Sequence, residues 1–428
     1  MENERIIVNG SILVYGTLIV ENSQIYINCT YDREHGVEAF PGANLTLRNS
    51  ILAAQNSSYR YYMDLSEGAA FRAEGTTFEY SYELHVLASN VAVEGCEFRY
   101  CYYGIYMEKA DLASVSECEF FRCIYGAYLY ASGAAVCYGN SFSDCTFSFC
   151  DYGVYMYAYC DSESSNTYVQ ENSFLGCKFD RCDYGVYMYA ELLGSGYRSR
   201  LQNNTFANST FSCCYYGVYS LLGSTSAYLC NNSFYLNNFV SSIFAHVASQ
   251  GNDFWNNSQY GNYWDDYAGV DEDSDGIGDS PYAINENNTD YKPLMHPWQW
   301  YFDQEPPAIV SVEFHPEHPY PDTPVNVKAS VVDDVEVKEV VLSYFDGSSW
   351  HNVTMEYNFL TGYYEAEIPP YAYQTTVSFR VVAYDWAGRY AESASYDYTV
   401  VPEVAPLLVV LLASTLAAAA MVAKRSKP

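Results

Sequence analysis

Residues 271–279, DEDSDGIGD, hold the densest set of hard metal donors in the chain. Asp271, Asp273, Asp275 and Asp279 bracket Gly276 in a D-x-D-x-D-G-x-x-x pattern. That spacing draws alternate carboxylates around one point, with glycine for the sharp turn and the Ile277 carbonyl as a further oxygen. The chemistry is Ca2+ binding at the weak affinity of extracellular sites. Tyr282 stands where comparable loops carry a closing Glu, so a closing ligand is expected from Asp265, Asp266 or Asp290. Other chemical material is sparse. There are seven His residues, and His35, His85 and His246 show no mutual spacing that points to a site. No CxxC pair suggests zinc.

A second constellation is aromatic. CDYGVYMYA occurs at 150–158 and again at 182–190, with looser relatives from Cys101, Cys123 and Cys214. Aligning on one apolar position gives Ile25, Ile51, Phe78, Phe98, Phe120, Phe147, Phe179, Phe211 and Phe239, spaced by about 20–32 residues, the period of a solenoid. Apolar residues alternate over short runs without helical period, so the rungs are strands. Uneven spacing is absorbed by loops. The expected fold is all-β: a parallel β-helix whose coils stack at about 4.8 Å, with equivalent side chains in columns.

The columns can be read directly. Two residues before the aligned Phe stand Thr76, Cys96, Cys118, Cys145, Cys177, Ser209 and Asn237; three after it stand Ser81, Cys101, Cys123, Cys150, Cys182, Cys214 and Ser242. A slot that accepts Ser, Thr, Cys or Asn selects a small side chain able to hydrogen-bond along the stack, which favours buried thiols over a disulfide or metal ladder. The Gly of each YG pair (Gly104, Gly126, Gly153, Gly185, Gly217) is expected to supply a positive-φ turn. After it, Val154 and Met156 face the core. Tyr106, Tyr128, Tyr155, Tyr187 and Tyr219 face solvent, as do Tyr157 and Tyr189. Such a strip stacks on itself and is also a candidate contact surface for sugars or an envelope protein. Asp151 and Asp183 recur as a corner position rather than as an unlike pair in a cleft, so catalysis ranks below binding.

Net charge is -32, arising from 52 Asp plus Glu against only 20 Lys plus Arg. A surface depleted in bases disfavours nucleic acid as a partner. Ten sequons (Asn9, Asn28, Asn44, Asn56, Asn203, Asn208, Asn231, Asn256, Asn287 and Asn352) agree with a secreted glycoprotein. Residues 404–423 are uncharged and apolar, long enough to span a bilayer, and KRSKP follows, which sets the body outside and the last residues inside. No basic-then-apolar leader opens the sequence, and one is expected upstream.

The coil phrase N-x-F…YGVYM, followed by GNYWDDY, DSDGIGDSPY and DYKPLMHPW, resembles the NosD-like right-handed β-helix family over about residues 1–300. The resemblance implies that fold, shared by many archaeal surface proteins, and, through the family's namesake, periplasmic copper delivery. Residues 304–401 alternate over short strands and resemble an Ig-like or fibronectin-III-like β-sandwich spacer. VPEVAP (401–406) and the apolar span after it resemble an archaeal C-terminal sorting signal, implying a lipid link or a single-pass anchor in 402–428. The expectation is therefore a cell-surface protein of three parts: a β-helix (1–300) ending in the acidic loop (261–284), a sandwich stalk (304–401) and an anchor (402–428). Its expected function is non-catalytic binding of carbohydrate or an envelope partner. The alternatives are a polysaccharide lyase or hydrolase and a copper-related accessory protein.

Overall fold

The computed structural model describes residues 2–161, 166–193, 198–358 and 361–402. The proposed span at 404–423 lies outside them, and no helix among the described residues is long and apolar enough to cross a membrane. The chain divides into two compact units, Met1–Trp298 and Gln299–Pro428.

The first unit is a parallel β-helix. Each coil gives a strand to each of three sheets of 11, 10 and 13 strands among the described residues. Tyr103–Glu108, Tyr125–Ser132, Tyr152–Cys160, Tyr184–Leu192 and Tyr216–Leu222 lie side by side in the 10-stranded sheet. Their register is in phase, Tyr155↔Tyr187↔Tyr219 and Met156↔Met188↔Ser220, so like residues stack on like. From Val136 onward the coils carry an additional strand on the 13-stranded sheet, which Tyr228–Tyr235 joins by pairing with two neighbours.

The core is two files of rings. Phe78, Phe98, Phe120, Phe147, Phe179, Phe211 and Phe239 stack at 4.6–5.0 Å between centroids. Phe142, Phe174, Phe206 and Phe234 form the second file at 4.7–4.9 Å. Trp264 closes the first file on Phe239 and Trp255 closes the second on Phe234, each at 4.4 Å.

Two expectations are corrected here. Leu52, not Ile51, occupies the ring file, pairing with Ile25 and Phe78. The corner sets the phase: a left-handed residue (Asn22, Asn49, Gly75, Gly95) comes first, then an inward polar residue (Ser23, Ser50, Thr76, Cys96), then the file residue two further on. The YG glycines are not turn residues. They lie within strands and are absent from the positive-φ set; Glu117, Arg122, Asp144, Phe149, Arg181 and Ser241 are among the residues that turn the corners. Glycine is required there because a Cβ on Gly153 would lie 2.6 Å from the Gly185 carbonyl oxygen and 2.8 Å from the Phe179 ring. Close packing of ring file against backbone, rather than φ, selects it.

The inward polar slot has a repeated bond pattern. Ser23, Ser50, Thr76, Cys96, Cys118, Cys145, Cys177 and Ser209 each donate to the carbonyl two residues earlier, bridging the left-handed corner. The amide of one coil in turn donates to the side chain of the next, as in Cys177 N–H to Ser209 Oγ at 3.0 Å. Any small group with a donor and an acceptor fits, which is why Ser, Thr, Cys and Asn interchange. All 14 cysteines stand as thiols. Burial pushes the Cys123 and Cys182 thiols well above the ordinary thiol range, which disfavours the reactive thiolate there.

The second unit is a β-sandwich. Ala308–His315, Val325–Val332, Tyr363–Ile368 and Glu356–Asn358 form one antiparallel sheet; Trp350–Thr354, Val337–Phe345, Thr376–Asp385, Tyr390–Glu392 and Tyr396–Thr399 form the other. Val327, Leu342, Phe379 and Val381 are fully buried in the core of this unit.

Candidate functional site

The tyrosines sit where strand alternation places them, on the outer surface of the 10-stranded sheet, with Val154, Met156, Val186 and Met188 fully buried beneath. Tyr106, Tyr128, Tyr155, Tyr157, Tyr187, Tyr189 and Tyr219 are half-buried rather than exposed, because each ring covers the next. Tyr128, Tyr155, Tyr187 and Tyr219 stack at 4.8–5.1 Å, and Tyr157 stacks on Tyr189 at 5.1 Å. A neighbouring row, Tyr103, Tyr125, Tyr152, Tyr184 and Tyr216, meets the first edge to face, as at Tyr152–Tyr155 (5.2 Å, 78°). Ring faces are therefore used internally, and what remains for a partner is ring edges and hydroxyls. Burial, with neighbouring phenols, pushes Tyr187 up to about 12 and Tyr155 further, so at neutral pH these hydroxyls stay protonated and act as donors.

His85 heads this row, stacked on Tyr106 at 4.8 Å. Asp64, Glu83 and His85 bring one ligand atom each within 4.8 Å of one another, and Glu108 approaches His85 Nε2 at 3.3 Å. Glu83 is almost fully buried and bound to Arg33 at 2.8 Å; burial pushes its carboxyl up although Arg33 opposes this. At His85 burial works against the proton, but Asp64, Glu83 and Glu108 together outweigh it and raise the imidazole.

The acidic loop is compact. Ser274 and Gly276 take positive φ, and ligand atoms of Asp271, Asp273 and Asp275 converge within 4.8 Å of one another. Asp271 accepts from the Asp275 and Gly276 amides, and Asp275 from the Ile277 amide. At Asp271 the slight burial that opposes charge is outweighed by these amides, which lower its carboxyl. Asp279 does not join the trio; its Oδ2 accepts from the Glu272 amide at 2.8 Å. None of the three closing ligands expected from the sequence closes the loop. Asp265 and Asp266 turn to His246, at 2.9 and 3.5 Å from Nε2, and Asp290 is buried on the Asn262 amide and Trp264 Nε1.

Sequence reasoning missed both His clusters, because His85 meets Asp64 and Glu108 only across coils. The signal was present: with Phe239 and Trp264 in one file, Asp265 and Asp266 fall in the coil directly beside the strand that carries His246.

Geometry and repeat together define a parallel β-helix protein with an outer tyrosine surface and a capped end. The family model described as "Periplasmic copper-binding protein (NosD)" matches residues 42–269, more than half of the chain, and the chain belongs to the NosD family. No curated protein matches it. Among solved structures, the tailspike protein of Acinetobacter baumannii phage AM24 is similar at 10% identity and a TM-score of 0.30, covering 92% of this chain and 68% of that one.

The family's description implies copper, and the donor chemistry of the β-helix can be tested for it. Soft donors suit Cu(I). Met107, Met156, Met188 and 12 of the cysteines are buried in the core, and no cysteine enters any of the three-residue ligand groups found among the described residues. These buried thiols and thioethers do not fit a copper(I) centre.

Proposed function

We propose that this chain is an envelope protein, acting outside the cytoplasmic membrane, that binds an extended carbohydrate or a like envelope polymer without cleaving it. The observation that supports this most is the pair of crossed tyrosine rows. They present regularly spaced protonated hydroxyls at the coil repeat, suited to a polymer lying along the stack. In this reading the sandwich is an Ig-like spacer and residues 402–428 supply the membrane or lipid anchor. A cleaving role fits less well. The Asp64 and Glu83 oxygens lie within 4.8 Å of each other, closer than the about 5–9.5 Å that separates working glycosidase carboxyls, and Arg33 neutralises Glu83.

A glycan panel against residues 1–402, scored for retention and for released product, tests the reading. Tyr155→Phe plus Tyr187→Phe keeps the ring stack and removes two hydroxyls. Retention is expected to fall at least about tenfold, the loss of roughly one charge-free hydrogen bond per site, with melting unchanged. Retention equal to wild type, or sugar release by either protein, would overturn it.

We also propose that Asp271, Asp273 and Asp275, with the Ile277 carbonyl and Asp279 as outer contributors, hold Ca2+ and fix the end of the coil stack. Three carboxylates drawn to one point repel unless a cation lies among them. Titration calorimetry of chelator-stripped protein should show weak Ca2+ binding that Asp273→Asn abolishes. No heat from the wild-type protein would sink the idea.

A further inference from the structure

The end of the β-helix carries a cleft of about 480 Å³ lined by Ser242, Phe244, His246, Trp264, Asp265 and Tyr282 among others. We propose that His246 Nε2, Asp265 Oδ1 and Asp266 Oδ1 bind a divalent first-row cation at this cleft, with Zn2+ as the reference ion. One ligand atom from each residue lies within 4.8 Å of the others. Nε2 is 2.9 Å from Asp265 and 3.5 Å from Asp266, so a single imidazole faces two carboxylates and cannot neutralise both.

The stronger observation is what holds the far side of each ligand. His246 Nδ1 is 2.9 Å from Ser242 Oγ. Asp265 Oδ2 accepts from the Ser241 amide. Asp266 Oδ2 accepts from the Tyr282 hydroxyl at 3.1 Å. Each residue thus keeps one atom aimed at the common point while its other polar atom is tied to the scaffold, the arrangement that orients metal ligands. The scaffold is rigid: His246 lies in the strand Ala245–Ser249, and Asp265 directly follows Tyr263–Trp264, whose Trp264 is clamped between Phe239 and Tyr282 at 4.4 Å on each side.

One nitrogen and two carboxylate oxygens make a borderline-to-hard set, suited to Zn2+, Mn2+ or Co2+ rather than to Cu(I). Three protein ligands leave coordination positions open. These face a cleft walled by Phe244, Trp264 and Tyr282, where water or an oxygen-donor ligand completes the shell. The site is separate from the tyrosine rows and from the 271–279 loop, and the proposal rests on neither.

The test uses full-length protein without a polyhistidine tag, stripped by chelator, titrated with Zn2+ by calorimetry and with Co2+ by visible absorption. One strong equivalent is expected, with Co2+ bands of imidazole–carboxylate coordination. His246→Gln and the exposed Asp266→Asn are each expected to weaken Zn2+ at least tenfold and to alter the Co2+ spectrum. Tyr282→Phe, which touches no metal, should weaken it about tenfold. Asp273→Asn should leave it unchanged, which separates this site from the acidic loop. Absence of strong Zn2+ binding, or binding that survives His246→Gln in a folded protein, would overturn the proposal. So would loss of that binding in Asp273→Asn.

Discussion

Replacing Phe179 by alanine is expected to lower the unfolding free energy of the β-helix by about 3–5 kcal/mol. Phe179 is fully buried and stacked between Phe147 at 5.0 Å and Phe211 at 4.6 Å. In a globular core, neighbours relax into part of such a gap. Here they cannot. Register holds Phe147 and Phe211 on their own coils, Phe147↔Phe179↔Phe211, and the backbone ladder fixes the spacing between coils. The ring also fills the space beside Gly153, which has no side chain to move inward. The cavity therefore stays open, and the cost falls at the upper end of the range for its chemistry. Tyr187→Ala, in the outer row, removes a half-buried ring that loses mainly stacking and should cost about 1–2 kcal/mol. Urea denaturation of both variants separates the cases. A Phe179→Ala loss below that of Tyr187→Ala would mean that the ring file is not what holds the coils in phase.

Those files were legible in the sequence because a parallel β-helix repeats the same environment at every coil. Cys, Val, Met and Tyr recur at fixed distances from one Phe, and alternation assigns each to a side. Legibility failed where that regularity breaks. Ile51 misleads because Ile-Leu offers two apolar residues in succession, and only the Asn49–Ser50 corner says which one turns inward. The YG glycines mislead because turn and close approach select the same residue. The distinction rests on the distance to the next coil's carbonyl, which no single coil reveals. His246, Asp265 and Asp266 were missed for a related reason: the file passes from Phe239 to Trp264, and the change of ring hides that Asp265 and Asp266 follow the next file position. GNYW, by contrast, becomes interpretable in full. A Cβ on Gly261 would lie 2.0 Å from Asp290 Oδ1, Asn262 continues a polar ladder, and Trp264 ends the Phe file.

A second, parallel ladder beside the Phe142 file leads to the second large effect, of opposite sign: Asp253→Asn is expected to stabilise the protein at neutral pH. Asn140, Asn172, Asn204 and Asn232 form a buried chain in which each Nδ2 donates to the next Oδ1 at 2.9–3.0 Å, and the last donates to Asp253 Oδ1 at 2.9 Å. Successive members also send Nδ2 back to a carbonyl, that of Cys137, Val169 or Leu201, and by register the next such carbonyl is that of Leu229. Asp253 places an acceptor, Oδ2, where the ladder calls for a donor, and that oxygen is buried without a partner. Burial accordingly pushes the Asp253 carboxyl up to about 6, even though Asn232 donates to it twice. Its pKa is higher folded than unfolded, so the penalty is absent below about pH 4 and complete above pH 6. A shift of about two units corresponds to roughly 3 kcal/mol at pH 7. The Asp253→Asn substitution would remove that penalty and supply the missing N–H. Melting should therefore rise clearly at pH 7.5, and the gain should vanish by pH 4. Asp290, also near 6 through burial, is the control. Its two oxygens accept from the Asn262 amide, Trp264 Nε1 and the Lys292 amide, so an asparagine there sets a donor against a donor and should lower the melting temperature. If Asp253→Asn destabilises at pH 7.5, the aspartate is serving as an ionised partner, and the ladder does not end as a misplaced acceptor.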